Sequence, residues 1–127
     1  MDKDIKVLVV DDEADFRQLT TVWLESKGYS VISAANGKSA VQLVKEKKPS
    51  IIFMDLRMPV MDGSETIKEI RRFNKNVPII IISAYVDDPK IKEIASSDIS
   101  GIFYKSEDFE KGLVLLESVL RRHKRLK

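Results

Sequence analysis

The chain has 127 residues, 43% of them apolar and 33% charged, which is typical of one globular domain with a single hydrophobic core. It has no cysteine, which excludes a disulfide scaffold and zinc or redox chemistry at cysteine. The formal net charge is +2 and much of the basic excess lies in the last seven residues, RRHKRLK, so the sequence argues against a nucleic-acid interface.

The N-terminal segment MDKDIKVLVV lacks the pattern of a secretory signal. It carries acidic residues where a signal peptide has only basic ones, and its apolar run stops at Asp11, far short of a membrane span. We therefore expect a cytoplasmic protein without a membrane partner.

Short β-branched runs alternate along the chain with segments whose apolar residues recur at helical spacing. The predicted strands are Ile5–Val10, Ser30–Ala34, Ile51–Asp55, Val77–Ser83 and Gly101–Tyr104. The predicted helices are Ala14–Lys27, Gly37–Lys48, Ser64–Phe73, Pro89–Ser97 and Phe109–Arg122. Asp88 and Pro89 suit the N-cap and the first position of the fourth helix.

Two predicted helices have clear apolar faces. In the first helix Phe16, Leu19 and Trp23 are expected to share one face. The last helix has the clearest amphipathic pattern, with an apolar face formed by Phe109, Leu113, Leu116 and Leu120.

Two predicted strands contain the runs VLVV and IIII, which are apolar at every position. Continuous apolar strands are typical of parallel sheets with helices on both faces. Repeated strand–helix units with right-handed crossovers therefore predict a single α/β domain of three layers, doubly wound around a five-stranded parallel sheet. Such sheets bind ligands at the carboxyl ends of their strands.

Polar residues follow the predicted strands at that edge. They are Asp11, Asp12 and Glu13 after the first strand, Asp55 at the end of the third, Ser83 at the end of the fourth and Lys105 after the fifth. The second strand ends in two alanines, which is consistent with a position at the edge of the sheet. We expect the polar side chains to converge although they are distant in sequence.

Clustered carboxylates repel one another by about 4 kcal/mol per charged pair at 4 Å for an effective dielectric constant near 20, unless a cation intervenes. Oxygen ligands without histidine or cysteine favour a hard ion, and a site with room for water favours Mg²⁺. Together with Lys105 and Ser83, such an ion would suit phosphoryl transfer to Asp55, because that chemistry depends on positioning and charge neutralisation.

In order and spacing, four segments resemble the receiver domain of two-component response regulators: VLVVDDE at 7–13, MDLRMPVMDG at 54–63, IIISA at 80–84, and the lysine after GIFY at 101–104. The resemblance covers nearly the whole chain. It implies a flavodoxin-like sheet with strand order 2-1-3-4-5. It also implies a signalling phosphoacceptor that catalyses only its own phosphorylation and dephosphorylation.

The resemblance assigns roles by position. Asp55 would be the phosphoacceptor that attacks a phosphohistidine on a histidine kinase or phosphotransfer protein. Ser83 would bind a phosphoryl oxygen, and Lys105 would pair with the carboxylate and the phosphoryl group. Asp12, Asp55 and the backbone carbonyl of Arg57 would ligate Mg²⁺, with Asp11 holding the ion through water.

Positions that flank the phosphoryl group in this family are Arg57, Ala84 and Tyr85 here, and their side chains would set the rate at which water removes the group. Two features depart from the family pattern. Ser106 replaces the usual proline after the lysine, so the Lys105–Ser106 peptide is expected to be trans. Ile102 occupies the switch position, where the family usually has an aromatic residue.

Phosphorylation would draw Ser83 and the following loop inward and change the surface formed by the fourth helix, fifth strand and fifth helix. That surface would contact a downstream effector or a second copy of the chain. Its candidate exposed apolar residues are Ile91, Ile94, Ile99, Leu115 and Val119. We expect the domain to span residues 1–122, with 123–127 as a basic tail or linker.

The residues also allow other interpretations. Asp11 and Asp12 could simply cap the first helix. A phosphatase with an aspartyl nucleophile would need a second acid at position 57, where the chain has arginine. A degenerate receiver could act as a phosphorylation-independent binding module. A nucleotide-binding fold lacks support because the chain has neither common glycine-rich phosphate motif.

Overall fold

The computed structural model describes residues 4–95 and 98–126. The strands are β1 (Lys6–Val10), β2 (Ser30–Ala34), β3 (Ile51–Asp55), β4 (Ile79–Ser83) and β5 (Gly101–Tyr104). The helices are α1 (Ala14–Ser26), α2 (Gly37–Lys47), α3 (Gly63–Arg71), α4 (Pro89–Ala95) and α5 (Phe109–Leu126). The alternation predicted from the sequence is therefore confirmed.

The five strands form one sheet in the order β2-β1-β3-β4-β5, and every neighbouring pair is parallel. This confirms the doubly wound, flavodoxin-like α/β fold and the edge position of β2. The register aligns Asp55 of β3 with Ile82 of β4, and Ser83 with Tyr104 of β5. The polar residues at the strand ends are thereby brought to one edge of the sheet.

Successive strand residues alternate between two buried layers, which explains why VLVV and IIII are apolar throughout. We call the layer beneath α2, α3 and α4 the aliphatic cluster; it contains Leu8, Val10, Ile52, Met54, Ile79, Ile81, Ala40, Val44, Ile67, Ile70 and Ile94. We call the layer beneath α1 and α5 the aromatic cluster; it contains Val7, Val9, Ile51, Phe53, Ile80, Ile82, Leu24, Phe103, Leu116 and Val119, with Phe16, Trp23 and Phe109 packed against it.

The predicted apolar face of α1 is wrong at Leu19, which is 60% exposed. The buried residues of this helix are Thr20 and Leu24, with Phe16 and Trp23 partly buried against the aromatic cluster. Leu19 directly precedes Thr20 and therefore lies about 100° around the helix from it. The apolar face of α5 is confirmed, since its four predicted residues all belong to the aromatic cluster or pack against it.

The predicted apolar surface of α4 and α5 needs correction. Ile94 is fully buried in the aliphatic cluster and Val119 is 2% exposed in the aromatic cluster, because both side chains face the sheet. The other three candidates, Ile91, Ile99 and Leu115, are partly buried against these clusters. Among the side chains of α5 that the structure describes, the large apolar one that is exposed is Val114, at 63%.

Several element boundaries differ from the predicted ones. β4 begins at Ile79 and not at Val77, because Pro78 has no N–H and the Val77 N–H donates to Asn74 Oδ1. α5 continues past Arg122 to Leu126, so most of the predicted tail is helical; the domain boundary at residue 122 stays a prediction. The predicted end of the fourth helix, at Ser97, lies outside the described residues.

In the part of the chain that the structure describes, none of the helices combines the length and the apolar character needed to cross a bilayer.

Candidate functional site

Three aspartates form an acidic pocket at the carboxyl edge of the sheet. Oxygens of Asp11, Asp12 and Asp55 all lie within 4.8 Å of one another. Asp11 is fully buried and Asp55 is 3% exposed, whereas Asp12 is open to solvent. β1 and β3 are adjacent in the sheet, and this pairing brings together acids that are more than forty residues apart in sequence.

Burial has the largest influence on the pKa of Asp55. Desolvation, followed by repulsion from Asp11, raises the pKa of Asp55 from 3.8 to about 8, although Lys105 acts in the opposite direction. Without a further cation this carboxyl group therefore holds its proton at neutral pH. A nucleophilic role for Asp55 requires additional positive charge in the pocket.

Lys105 enters the pocket from the end of β5. Its Nζ lies 2.9 Å from Asp11 Oδ2 and 3.6 Å from Asp55 Oδ2, and it also pairs with Glu13. The ammonium group lies 4.9 Å from the centroid of the Phe16 ring. Burial lowers the pKa of Lys105, but Glu13, Asp11 and Asp55 together outweigh burial and raise it.

The alternative in which Asp11 and Asp12 merely cap α1 does not hold. The N-cap residue is Glu13, and it makes no side-chain capping hydrogen bond. Asp11 Oδ1 accepts a hydrogen bond of 2.8 Å from the Glu13 N–H. Asp11 Oδ2 is buried and, although Lys105 Nζ is close, accepts no well-aligned hydrogen bond from a described residue. The charge of this buried oxygen is therefore balanced by the Lys105 ammonium.

The donor set fits magnesium. The pocket offers carboxylate oxygens, one of them buried without a well-aligned hydrogen bond, and one acid is open to solvent. Hard divalent ions take such oxygen ligands and keep part of their water. The carboxylates of Asp11, Asp12 and Asp55 could hold such an ion.

Ser83 lies at the end of β4 and is 1% exposed, but its hydroxyl is engaged in its own loop. The Ser83 Oγ donates to the Tyr85 carbonyl at 2.8 Å and accepts from the Tyr85 N–H at 3.2 Å. A phosphoryl oxygen at Asp55 would have to replace these local bonds. The tie to Tyr85 was not predicted from the sequence.

The predicted flanking and switch residues occupy separate environments. Ala84 is exposed and the Tyr85 side chain is 66% exposed. Ile102 is partly buried against the aliphatic cluster. The Lys105–Ser106 peptide is trans, as predicted.

Arg57 pairs with Asp88, a contact that the sequence did not predict. Its guanidinium binds Asp88 in bidentate geometry, with Nε 2.9 Å from Oδ2 and Nη2 2.6 Å from Oδ1. Asp88 also accepts the Lys90 N–H at 3.0 Å, which confirms its predicted place as the N-cap of α4. No local pattern links residues 57 and 88; only the adjacency of β3 and β4 brings their loops together.

Gly63 lets α3 begin directly against the end of β3. A Cβ atom at this position would lie 2.4 Å from the Asp55 carbonyl oxygen, which is backbone and cannot swing away. We expect Gly63→Ala to lower the free energy of unfolding by about 3 kcal/mol, as overpacking does, in urea denaturation followed by circular dichroism. Lys68→Ala, an exposed change on the same helix, should stay within about 0.5 kcal/mol. Equal stability of Gly63→Ala and wild type would contradict this account of the contact.

The sequence matches the family described as "Response regulator receiver domain" over residues 7–117. It is 36% identical over 124 residues to "Transcriptional regulatory protein ZraR" of Klebsiella oxytoca, covering 98% of this chain and only 28% of that protein. It is 30% identical over 105 residues to "Sporulation initiation phosphotransferase F" of Bacillus subtilis (strain 168), covering 83% of each chain.

Solved structures show the same similarity. The chemotaxis protein CheY4 of Vibrio cholerae superposes with a TM-score of 0.85 at 32% identity, covering 91% of this chain and 98% of that one. A response regulator receiver domain protein from Clostridium thermocellum gives a TM-score of 0.89 at 21% identity, covering 97% and 99% of the two chains. At that identity the likeness concerns the fold alone.

Proposed function

Because this chain belongs to the response regulator receiver domain family, we propose that it is a phosphorylation-dependent signalling switch with Asp55 as phosphoacceptor. The phosphoryl group would come from the phosphohistidine of a histidine kinase or phosphotransfer protein. The observation that carries the proposal is the buried Asp55 carboxylate, with two further aspartates within 4.8 Å and the Lys105 ammonium at 3.6 Å.

In the proposed reaction an Asp55 carboxylate oxygen attacks phosphorus, the bond from phosphorus to the histidine nitrogen breaks, and the neutral imidazole leaves after protonation. Bound Mg²⁺ would neutralise charge on the carboxylates and the phosphoryl oxygens. Asp55 must be ionised to attack, and its pKa near 8 in the metal-free pocket makes a cation-loaded pocket the reactive form. Lys105 would pair with the acyl phosphate once it has formed.

Ser83 is the proposed link from chemistry to conformation. Its hydroxyl would exchange the Tyr85 carbonyl for a phosphoryl oxygen, which draws the loop after β4 inward. The loop leads into α4, so the surface of α4, β5 and α5 would change its preference for an effector or a second copy of the chain. Because Ile102 occupies the switch position, an aliphatic side chain would have to transmit the change that an aromatic ring usually transmits in this family.

Exposed apolar residues on α1 and on α5 are candidates for contact with partner proteins. Leu19 and Val22 on α1 are 60% and 53% exposed, one turn apart, on the helix that follows Asp11 and Asp12. This patch suits the phosphodonor protein. Val114 on α5 suits the effector or the self-dimer. A phosphorylation-independent binding module is the alternative, favoured only by the aliphatic switch position.

The proposed function is tested by the intact mass of the protein after incubation with acetyl phosphate and Mg²⁺. We expect wild type to gain one phosphoryl group, and Asp55→Asn or a chelator to prevent the gain. Asp87→Asn is a matched control because Asp87 is an exposed acid outside the pocket, and it should be labelled like wild type.

If wild type gains no mass, binding of beryllofluoride, a mimic of the phosphoryl group, should be measured. Binding would mean that the acyl phosphate forms and is hydrolysed too rapidly to be detected. A protein that neither gains a phosphoryl group nor binds beryllofluoride would refute the phosphoacceptor proposal. The phosphorylation-independent binding module would then be the remaining interpretation. Modification of Asp55→Asn at the wild-type level would show that another residue is the acceptor.

A further inference from the structure

Arg57 lies two residues after Asp55, yet its charge is directed away from the acidic pocket. The guanidinium makes two hydrogen bonds to Asp88, and the acids that raise its pKa are Asp88, Asp62 and Glu93. The cation that acts on the pKa of Asp55 is Lys105. An arginine beside a cluster of carboxylates is thus held by a partner on another loop.

The pair of Arg57 and Asp88 differs from an ordinary surface ion pair because its acid is buried, although the Arg57 side chain is 56% exposed. The Asp88 side chain is 3% exposed and accepts three hydrogen bonds, two from Arg57 and one from the Lys90 N–H. Bidentate, charge-assisted pairs of this kind fix geometry as well as supply energy. The hydrogen bond from Arg57 is the main reason that the pKa of Asp88 lies below its ordinary value.

A second ion pair runs beside the first. Lys90 Nζ lies 2.9 Å from Asp62 Oδ2, and Asp62 is the N-cap of α3. The loop between β3 and α3 is therefore joined to the start of α4 at both of its ends. Arg57 cannot turn toward Asp55 unless the Asp88 pair breaks.

We propose that Asp88 is a positioning residue that acts through Arg57: it holds the guanidinium out of the acidic pocket and so keeps that pocket available to a divalent cation. Without the Asp88 carboxylate, the guanidinium would lose both of its hydrogen bonds to this group and could turn toward the aspartates of the pocket, where it would compete with the cation. The inference rests on the proposed function in that it concerns occupancy of the same pocket.

Asp88→Asn is the informative variant, because asparagine keeps a good N-cap for α4 but removes the charge that binds Arg57. The Mg²⁺ affinity of wild type, Asp88→Asn, Arg57→Ala and the double variant would be measured by calorimetry. We expect Asp88→Asn to raise the dissociation constant about tenfold. Asp87→Asn, the exposed neighbour, should match wild type.

The double variant separates positioning from a structural role. If Asp88 acts through Arg57, the double variant should bind Mg²⁺ like Arg57→Ala, within about twofold. An Asp88→Asn affinity equal to that of wild type would overturn the proposal. So would an equal loss with and without Arg57, since Asp88 would then act on α4 alone.

A metal-free measurement keeps this inference separate from the proposed function. We expect a crystal structure of metal-free Asp88→Asn to show the Arg57 guanidinium turned toward the acidic pocket, and that of wild type to keep it on Asp88. If wild type binds no Mg²⁺, the proposed function loses its metal while this comparison still decides the role of Asp88. An Arg57 side chain that stays outside the pocket in Asp88→Asn would refute that role.

Discussion

Replacing Asp55 with asparagine should stabilise the metal-free protein at pH 8.5 or above, although it removes the proposed phosphoacceptor. The wild-type carboxyl group ionises there inside a buried pocket beside Asp11, and it is this burial that raises its pKa to about 8. Asparagine occupies the same volume without the charge. The difference in free energy of unfolding has a ceiling of about 6 kcal/mol for a shift of this size.

The expected pH dependence follows from proton uptake. The unfolded chain ionises Asp55 near its ordinary pKa of 3.8, whereas the folded chain retains the proton to about pH 8. Between these values the folded state binds more protons, so the contribution of Asp55 to the free energy of unfolding falls as pH rises. Below pH 3.8 both states are protonated at this position, and the Asp55→Asn advantage should vanish.

Urea denaturation of both proteins between pH 4 and pH 9 checks this expectation. Asp87→Asn controls for the loss of an exposed acid. Its free energy of unfolding relative to wild type should not increase as the pH rises. Saturating Mg²⁺ should narrow the gap, because the cation stabilises the ionised pocket of wild type alone. A constant difference across the pH range would mean that Asp55 titrates in the folded protein much as it does in the unfolded chain.

Lys105→Met should destabilise the metal-free protein by about 3 kcal/mol at neutral pH, the loss typical of a broken buried ion pair. The Lys105 side chain is 13% exposed and lies 2.9 Å from the fully buried carboxylate of Asp11. Methionine retains most of the apolar stem but leaves that carboxylate without its cation. The cost should be smaller in the presence of Mg²⁺, which would supply the missing charge.

The matched control is Lys111→Met. Lys111 also faces an acid, Glu107, at 3.5 Å, but its side chain is 69% exposed, so its loss should cost less than about 1 kcal/mol. Chemical denaturation at pH 7 with and without Mg²⁺ measures both variants. Equal, small losses for the two lysines would show that Lys105 contributes no more than a surface pair.

The fold could be predicted because the alternation of strand and helix patterns agreed with the apolar character of the central strands. Strands apolar at every position indicated a parallel sheet covered on both faces, and the two buried layers confirm this. The acidic pocket could be predicted because Asp11, Asp12 and Asp55 end adjacent strands, and strand ends of a parallel sheet share an edge. Spacing alone would not have linked them.

What escaped prediction depends on orientations that one-dimensional patterns do not encode. Apolar spacing placed Leu19 on the inner face of α1, but helix rotation puts Thr20 and Leu24 there. The same uncertainty made Ile94 and Val119 candidates for the surface, although both face the sheet. The pair of Arg57 and Asp88 joins two loops and has no signature in either of them.

The division of the core into an aliphatic and an aromatic cluster decides what optical spectroscopy can observe. Trp23, the single tryptophan, stacks on Phe109 at 5.1 Å in the layer of α1 and α5. Among the described residues, the aliphatic cluster beneath α4 has no aromatic member. Movement of α4 would therefore leave tryptophan fluorescence nearly unchanged, whereas the methyl resonances of Ile91, Ile94 and Ile102 would report it directly.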